Sequence, residues 1–117
     1  MKRNVFYHNS RCRKSREGLA LLQRTNIDFE IVEYLQIPPS KEDLKFILDG
    51  LGMKPLQLMR TQEKVFKELN LSKKDERSDE EWIDIMVRNP ILIERPVLIF
   101  SQKVALGRPP DNLLKIL

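Results

Sequence analysis

The chain has 117 residues, of which 41% are hydrophobic and 32% are charged, and this balance is typical of one soluble domain with a real core. No apolar run approaches the roughly 20 residues of a membrane-spanning helix, and a single cysteine excludes an internal disulfide and a zinc site built on several cysteines. The formal net charge of +4 suits an anionic substrate, but the basic residues are interleaved with acids and form no stripe of the kind that binds nucleic acid.

A lone thiol fits a reducing compartment, so we expect a cytoplasmic protein. We further expect a monomer that binds neither membrane nor nucleic acid and that holds no metal ion. Any redox cycle through the cysteine must borrow its second sulfur from another molecule.

The start of the chain predicts a β-α-β unit. Val5–His8 is a short strand, Lys14–Thr25 has a helical pattern, and Phe29–Tyr34 alternates and is rich in β-branched residues. The connection between the two strands should be right-handed, which makes the strands parallel.

The only cysteine, Cys12, lies four residues after the only histidine, His8, in the turn between this strand and this helix. Helix N-terminal N–H groups and the helix dipole stabilise a thiolate and can hold an oxyanion. A structural cysteine is the competing interpretation, and His8 either ends the strand or orients the thiolate. Four neighbouring cations add positive potential: Arg11, Arg13, Lys14 and Arg16.

Residues 41–89 predict a run of helices. Ser40 caps the first, which ends at two glycines; Pro55–Met59 and Glu63–Leu69 are short pieces; and a capping box at Ser78 opens a helix that closes before a proline. The side chains predicted to be buried on these helices are Leu44, Ile47, Leu48, Leu51, Val65, Phe66, Leu69, Trp82, Ile85 and Met86.

The end of the chain predicts a β-hairpin and a last helix. Val97–Phe100 and Val104–Leu106 flank a polar turn, and Pro110 is well placed at the first turn of the helix. The buried residues predicted on this helix are Leu113, Ile116 and Leu117.

The order β-α-β, helical segment, β-β-α resembles the thioredoxin-like plan. It predicts an α/β fold: one domain, residues 1–117, with a mixed four-stranded sheet, helices on both faces and an all-helical insertion at about residues 40–89. In that plan the loop after the first strand carries the catalytic thiol. A proline before the third strand, here Pro96, is often cis and lies beside the thiol.

The detailed sequence resembles the ArsC family of glutaredoxin-linked arsenate reductases from Val5 to Leu117, and it is similar to the shorter branch of that family. The blocks that carry the resemblance are Tyr7-His8-Asn9 with Cys12-Arg13-Lys14-Ser15-Arg16, Leu58-Met59-Arg60, Asn89-Pro90-Ile91-Leu92-Ile93-Glu94-Arg95-Pro96, and Gly107-Arg108-Pro109-Pro110.

The resemblance implies an oxidoreductase without a bound cofactor. The Cys12 thiolate attacks the arsenic of arsenate, glutathione serves as co-substrate and attacks the adduct, and arsenite leaves after glutaredoxin resolves the mixed disulfide. His8 and Ser15 match residues that keep Cys12 ionised, and we expect the Ser15 hydroxyl to donate to the sulfur. The residues that match the three oxyanion-binding arginines of the family are Arg60, Arg95 and Arg108.

Three alternatives stay open at this point. A redox-responsive regulator of the Spx type resembles the same fold but usually has a second cysteine where Ser15 stands. A general glutathione-linked thiol oxidoreductase needs Cys12 but not every arginine. A phosphatase of the Cys-x₅-Arg type requires arginine where Gly18 stands. Among the arginines, Arg60 could be a surface charge.

Arg95 has its own competing interpretation, because a cation between two apolar runs could be explained by an ion pair with Glu94 or Asp84.

Overall fold

The computed structural model describes residues 3–117, so the first two residues of the predicted domain lie outside the described part of the chain. In chain order the elements are β1 (Val5–His8), α1 (Arg13–Gln23), β2 (Glu30–Glu33), α2 (Lys41–Leu51), α3 (Pro55–Leu58), α4 (Lys64–Glu68), α5 (Asp79–Arg88), a 3-10 helix (Pro90–Leu92), β3 (Val97–Phe100), β4 (Lys103–Leu106) and a second 3-10 helix (Pro110–Ile116). Among residues 3–117 no helix is long and apolar enough to cross a bilayer.

The four strands form one mixed sheet in the order β2-β1-β3-β4. β1 is parallel to β2, with Phe6 opposite Ile31, and antiparallel to β3, with Phe6 opposite Leu98. β3 and β4 form the predicted hairpin, whose turn has positive φ at Ser101 and Gln102. The predicted thioredoxin-like sheet is confirmed.

The chain divides into two compact units. The first comprises the chain up to Ile37 together with Arg95–Leu117, and it contains the sheet, α1 and the last 3-10 helix. Apolar side chains of α1 and of the last 3-10 helix pack with those of three strands in one buried cluster. The members of that cluster are Phe6, Leu22, Leu98, Ala105 and Leu113.

The second unit, Pro38–Glu94, contains α2 to α5 and the first 3-10 helix. Its helices begin where the sequence predicts. The Ser40 hydroxyl accepts from the Asp43 N–H at 3.1 Å, and Ser78 and Glu81 form a reciprocal capping box. α2 runs through Gly50 and ends only at Gly52, which takes the left-handed conformation at φ 64°.

Several predictions about buried side chains are wrong. On α5 the buried isoleucine is Ile83 and not Ile85, because the buried face runs through Met86 to Ile83, three residues earlier and so on the same face. On α4 only Phe66 is fully buried. Leu69 is 43% exposed because the helix has already ended there.

The final helix is 3-10 in geometry and not α-helical. Side chains three residues apart align in a 3-10 helix, so Pro110 and Leu113 are buried together and Ile116 is half-buried. Leu117, one residue beyond this row, is 42% exposed, and its predicted burial is wrong.

Candidate active site

Cys12 lies in the strand-to-helix turn that the sequence predicts. It is the N-cap residue of α1, with an extended backbone at φ −96° and ψ 124°. Its N–H donates to the Asn9 carbonyl at 2.9 Å, and its own carbonyl accepts from the Arg16 N–H at 3.0 Å. The thiol therefore occupies the place where an N-cap side chain meets the free N–H groups of a helix.

The surroundings of Cys12 favour its thiolate. Burial alone raises the pKa of the thiol, but the Ser15 N–H, the hydrogen bond and charge of Arg95, and the Lys14 N–H together bring the pKa below its ordinary value. The neutral thiol makes no side-chain capping hydrogen bond to any described residue. These donors thus act mainly on the anion, which is by far the stronger acceptor.

Ser15 takes part in a different way from the one predicted. Its fully buried hydroxyl lies 2.6 Å from the Nδ1 atom of His8 and accepts from the Asn9 N–H at 3.0 Å. The group of Ser15 that stabilises the Cys12 thiolate is the backbone N–H. The expectation that the hydroxyl donates to the sulfur is therefore corrected, because the hydroxyl is already engaged with His8.

The His8 imidazole contacts the hydroxyl of Ser15, the residue whose backbone N–H stabilises the Cys12 thiolate. The imidazole is 5% exposed, and its burial lowers its pKa, with Glu33 raising that pKa and Arg16 lowering it further. The Nδ1 atom of a neutral imidazole can accept a hydrogen bond from the Ser15 hydroxyl. The oxygen of that hydroxyl at the same time accepts a hydrogen bond from the Asn9 N–H. His8 and Ser15 are thus brought together at the end of β1.

Arg95 lies two residues before the start of β3 and is only 8% exposed. Because Tyr7 of β1 pairs with Val97 of β3, the end of β1 and the start of β3 lie at the same edge of the sheet. This pairing explains how Arg95 reaches the Cys12 thiol. The Nε and Nη1 atoms of its guanidinium group are buried with no hydrogen-bond partner among residues 3–117, while the guanidinium group itself interacts with the Cys12 thiol.

Arg108 follows the end of β4, at this same edge of the sheet. Leu106, at the end of β4, pairs with Val97, and the Gly107 N–H donates to the Pro96 carbonyl at 2.8 Å. The Arg108 side chain is half-buried, and its backbone carbonyl accepts from the Asn112 amide at 3.1 Å. The loops that carry Cys12, Arg95 and Arg108 therefore emerge together.

Pro96 is held between two glycines. The Arg95–Pro96 peptide bond is cis, as expected, and the Arg108–Pro109 bond is also cis, which was not predicted. A Cβ atom on Gly18 would lie 3.1 Å from the Pro96 Cγ atom, and one on Gly107 would lie 2.7 Å from it. At Gly18, the position where a Cys-x₅-Arg phosphatase has its arginine, any side chain would therefore have to displace its neighbours.

Arg60 belongs to the second unit and has carboxylate partners there. Its Nε atom donates to Glu63 at 2.9 Å and its Nη1 atom donates to Glu94 at 2.7 Å. These residues line a cleft of about 370 Å³. Asp84, one of the two acids proposed as rival partners of Arg95, pairs with Lys41 at 2.8 Å.

One residue of the turn that carries Cys12, Asn9, was not predicted from the sequence to belong to the site. Asn9 is 5% exposed and hydrogen-bonds on both sides of Cys12. The available signal was an asparagine just after a strand and before a turn, a position where its side chain often bonds to the backbone two residues on. Among residues 3–117 no cluster of three or more His, Cys, Asp or Glu side chains is arranged to hold a metal ion.

Comparison with known proteins adds an independent finding. A sequence model described as the ArsC family matches residues 7–116. The chain is 43% identical to the YfgD protein of Escherichia coli strain K12, over 98% of this chain and 97% of that protein. It is 41% identical to a protein named arsenate reductase from Haemophilus influenzae, over 97% of each chain.

Solved structures give the same result. The structure titled arsenate reductase from Vibrio cholerae superposes with a TM-score of 0.90 at 41% sequence identity, and the match covers 97% of each chain.

Proposed function

The chain belongs to the ArsC family, and from this premise we propose that it is an arsenate reductase that uses Cys12 as nucleophile and glutathione with glutaredoxin as reductants. Relatives named arsenate reductase, at 41% and 37% identity over almost the whole chain, support the substrate. The single cysteine supports an external thiol as the second reductant.

The observation that carries the proposal is the set of donors around the Cys12 sulfur. Two backbone N–H groups of α1 and the buried guanidinium group of Arg95 stabilise the thiolate. A nucleophile and a cationic donor are thereby held together at one point, as attack on a negatively charged tetrahedral substrate requires.

The proposed first step is attack of the Cys12 thiolate on the arsenic of arsenate. A sulfur–arsenic bond forms and one oxygen leaves as water after protonation. Glutathione then attacks the adduct, arsenic takes two electrons and leaves as arsenite, and Cys12 and glutathione form a mixed disulfide. Glutaredoxin removes the glutathione and restores the thiolate, so two thiols are oxidised for each arsenate reduced.

Arg95 and Arg108 are proposed to bind the oxyanion, because a guanidinium group offers two parallel donors to two oxygens. The family resemblance adds Arg60 to this pair. Since Arg60 already donates to Glu63 and Glu94, its part in binding requires the exchange of a carboxylate for the oxyanion.

Arsenate reduction and deglutathionylation of Cys12 separate this function from that of a general thiol oxidoreductase. We expect Arg95→Lys and Arg108→Lys each to lower kcat/KM for arsenate. The fall should correspond to a loss of roughly 2–4 kcal/mol of transition-state stabilisation in each variant. The removal of glutathione from Cys12 by glutaredoxin should change much less.

The matched control is Arg24→Lys, which changes an exposed arginine in the same unit. Equal small effects on both reactions in all three variants would mean that Arg95 and Arg108 do not bind the oxyanion, and would favour the general thiol oxidoreductase.

The compartment and the partners follow from the same chemistry. We propose that the protein works as a monomer in the cytoplasm, where reduced glutathione and glutaredoxin are available to regenerate its one thiol. Binding of RNA polymerase, the activity of the Spx-type regulators, is not part of this proposal.

A further inference from the structure

Asn9 connects the two sides of the Cys12 loop. Its backbone carbonyl accepts from the Cys12 N–H at 2.9 Å, and its side-chain Oδ1 accepts from the Arg11 N–H at 3.0 Å. On the other side of the cysteine, its backbone N–H donates to the Ser15 hydroxyl at 3.0 Å. A residue that is only 5% exposed thus restrains both the turn before Cys12 and the first helical turn after it.

Two of these three bonds use the backbone of Asn9, and a different residue could make them. The bond from the Arg11 N–H to Oδ1 needs a short side chain with an acceptor, as in an Asx turn. The turn that it closes delivers Cys12 to the N-cap position, where the N–H groups of Lys14 and Ser15 stabilise the thiolate.

We propose that Asn9 is a positioning residue for Cys12. Its side-chain carbonyl holds the turn so that the sulfur stays against the N–H groups at the start of α1, and it acts through Cys12 without touching the oxyanion. The inference rests on the proposed function only in taking Cys12 as the nucleophile.

The experiment measures the pH dependence of Cys12 alkylation by iodoacetamide, together with thermal unfolding and the kcat and KM for arsenate. Asn9→Ala removes the acceptor, and Asn9→Ser retains a shorter one. The matched control is Asn4→Ala. Asn4 lies just before the other end of β1, and its Oδ1 also accepts a backbone N–H, that of Ser101 at 2.9 Å.

In Asn9→Ala we expect the midpoint of alkylation to rise by about half a pH unit to one unit, because a shift of this size corresponds to the loss of one hydrogen bond. We expect kcat to fall with KM for arsenate unchanged, and Asn9→Ser to recover part of the midpoint shift. Asn4→Ala should lower the melting temperature and leave the midpoint where it is in the wild type.

A wild-type midpoint in Asn9→Ala, whatever its melting temperature, overturns the proposal. If Asn9→Ala does not fold, the alkylation midpoint of Asn9→Ser is compared with that of Asn4→Ala. Equal midpoints in these two variants then overturn the proposal. Alkylation needs no arsenate, so a shifted midpoint in a protein that fails to reduce arsenate keeps this inference and removes the proposed function. Arsenate reduction by the wild type, together with an unshifted midpoint in Asn9→Ala, keeps the proposed function and removes this inference.

Discussion

The Cys12 thiolate is stabilised by two donors that are its neighbours in sequence and by one, Arg95, that comes from a distant part of the chain. Ser15 and Lys14 offer backbone N–H groups because Cys12 caps their helix, whereas Arg95 arrives because β1 and β3 are paired. The local basic run around Cys12 was the feature visible in the sequence. The donor with a side-chain hydrogen bond to the thiol is instead the buried Arg95.

The first prediction concerns the protonation of Cys12. Because its pKa lies below the ordinary thiol value, the thiolate and kcat/KM should rise with pH and level off at a lower pH than for free cysteine. Arg95→Gln removes a hydrogen bond and a positive charge, so it should move this rise to higher pH. Titration of the thiolate absorbance gives the midpoint directly. Equal midpoints in the wild type and Arg95→Gln would contradict the role of Arg95.

The second prediction concerns His8 and stability. Burial lowers the folded-state pKa of His8 below the unfolded value of about 6.5. Between these two values the unfolded chain binds more protons than the folded one, so the stability contributed by neutral His8 is present above pH of about 6.5 and is lost as the pH falls.

Urea unfolding of the wild type and of His8→Gln, measured at several pH values, isolates this contribution because His8 is the only histidine. The wild type should lose more of its free energy of unfolding than the variant on acidification below neutral pH. Parallel losses in the two proteins would mean that the folded and unfolded pKa values of His8 are the same.

At the scale of elements, α1 can approach the last 3-10 helix and Pro96 closely because a glycine, Gly18, lies at the contact. A Cβ on Gly18 would lie 2.8 Å from the Leu113 Cδ1 atom and 3.1 Å from Pro96 Cγ. Pro96 follows Arg95, so the packing of α1 and the placing of this arginine depend on the same contact.

The third prediction follows from this contact. Gly18→Ala should lower the free energy of unfolding by about 1–3 kcal/mol, the usual cost of overpacking, and should also slow arsenate reduction by displacing Arg95. Gly50→Ala is the control, because Gly50 is exposed within α2 and alanine there should stabilise by about 0.5–1 kcal/mol. If Gly18→Ala proves as stable and active as the wild type, the contact does not position Arg95.

The sequence predicts elements where local signals determine them. β1 and the hairpin of β3 and β4 follow from short apolar runs, the last two joined by a polar turn. The starts of α2 and α5 follow from the serine caps at Ser40 and Ser78. The 3-10 geometry of the last helix was missed because its apolar spacing of three residues also fits an α-helix.

The site is predictable only in part. Cys12 at a helix start could be inferred from the sequence around it, and Pro96 from its place before a strand. The engagement of the Ser15 hydroxyl with His8, and the pairing of Arg60 with two carboxylates, depend on side-chain directions that periodicity does not give.

At the scale of the whole molecule, the charge distribution should affect how the thiol meets its partners. The net charge is +4, and the exposed cations Arg11, Arg13, Lys14 and Arg16 surround Cys12. Among them Arg13 has an ion pair, with Glu17 at 3.4 Å, and it is highly exposed. Such a surface attracts anions over a distance of roughly 10 Å at moderate salt.

The fourth prediction tests this field with disulfides of different charge. Thiol–disulfide exchange of Cys12 with anionic oxidised glutathione should be faster than exchange with cationic cystamine, after correction for their intrinsic reactivities measured with free cysteine. The ratio should shrink as the ionic strength is raised and in Arg11→Ser. A corrected ratio that does not depend on salt would show that these cations do not steer the approach of the partner.

The central claim is that Cys12 reduces arsenate. The direct measurement is the arsenite formed when the purified protein is mixed with arsenate, glutathione and glutaredoxin. We predict one arsenite for each disulfide of glutathione formed and no arsenite above the background in Cys12→Ser, whose circular dichroism spectrum should match that of the wild type. Arsenite formation by Cys12→Ser at the wild-type rate, or none by the wild type, would contradict the account.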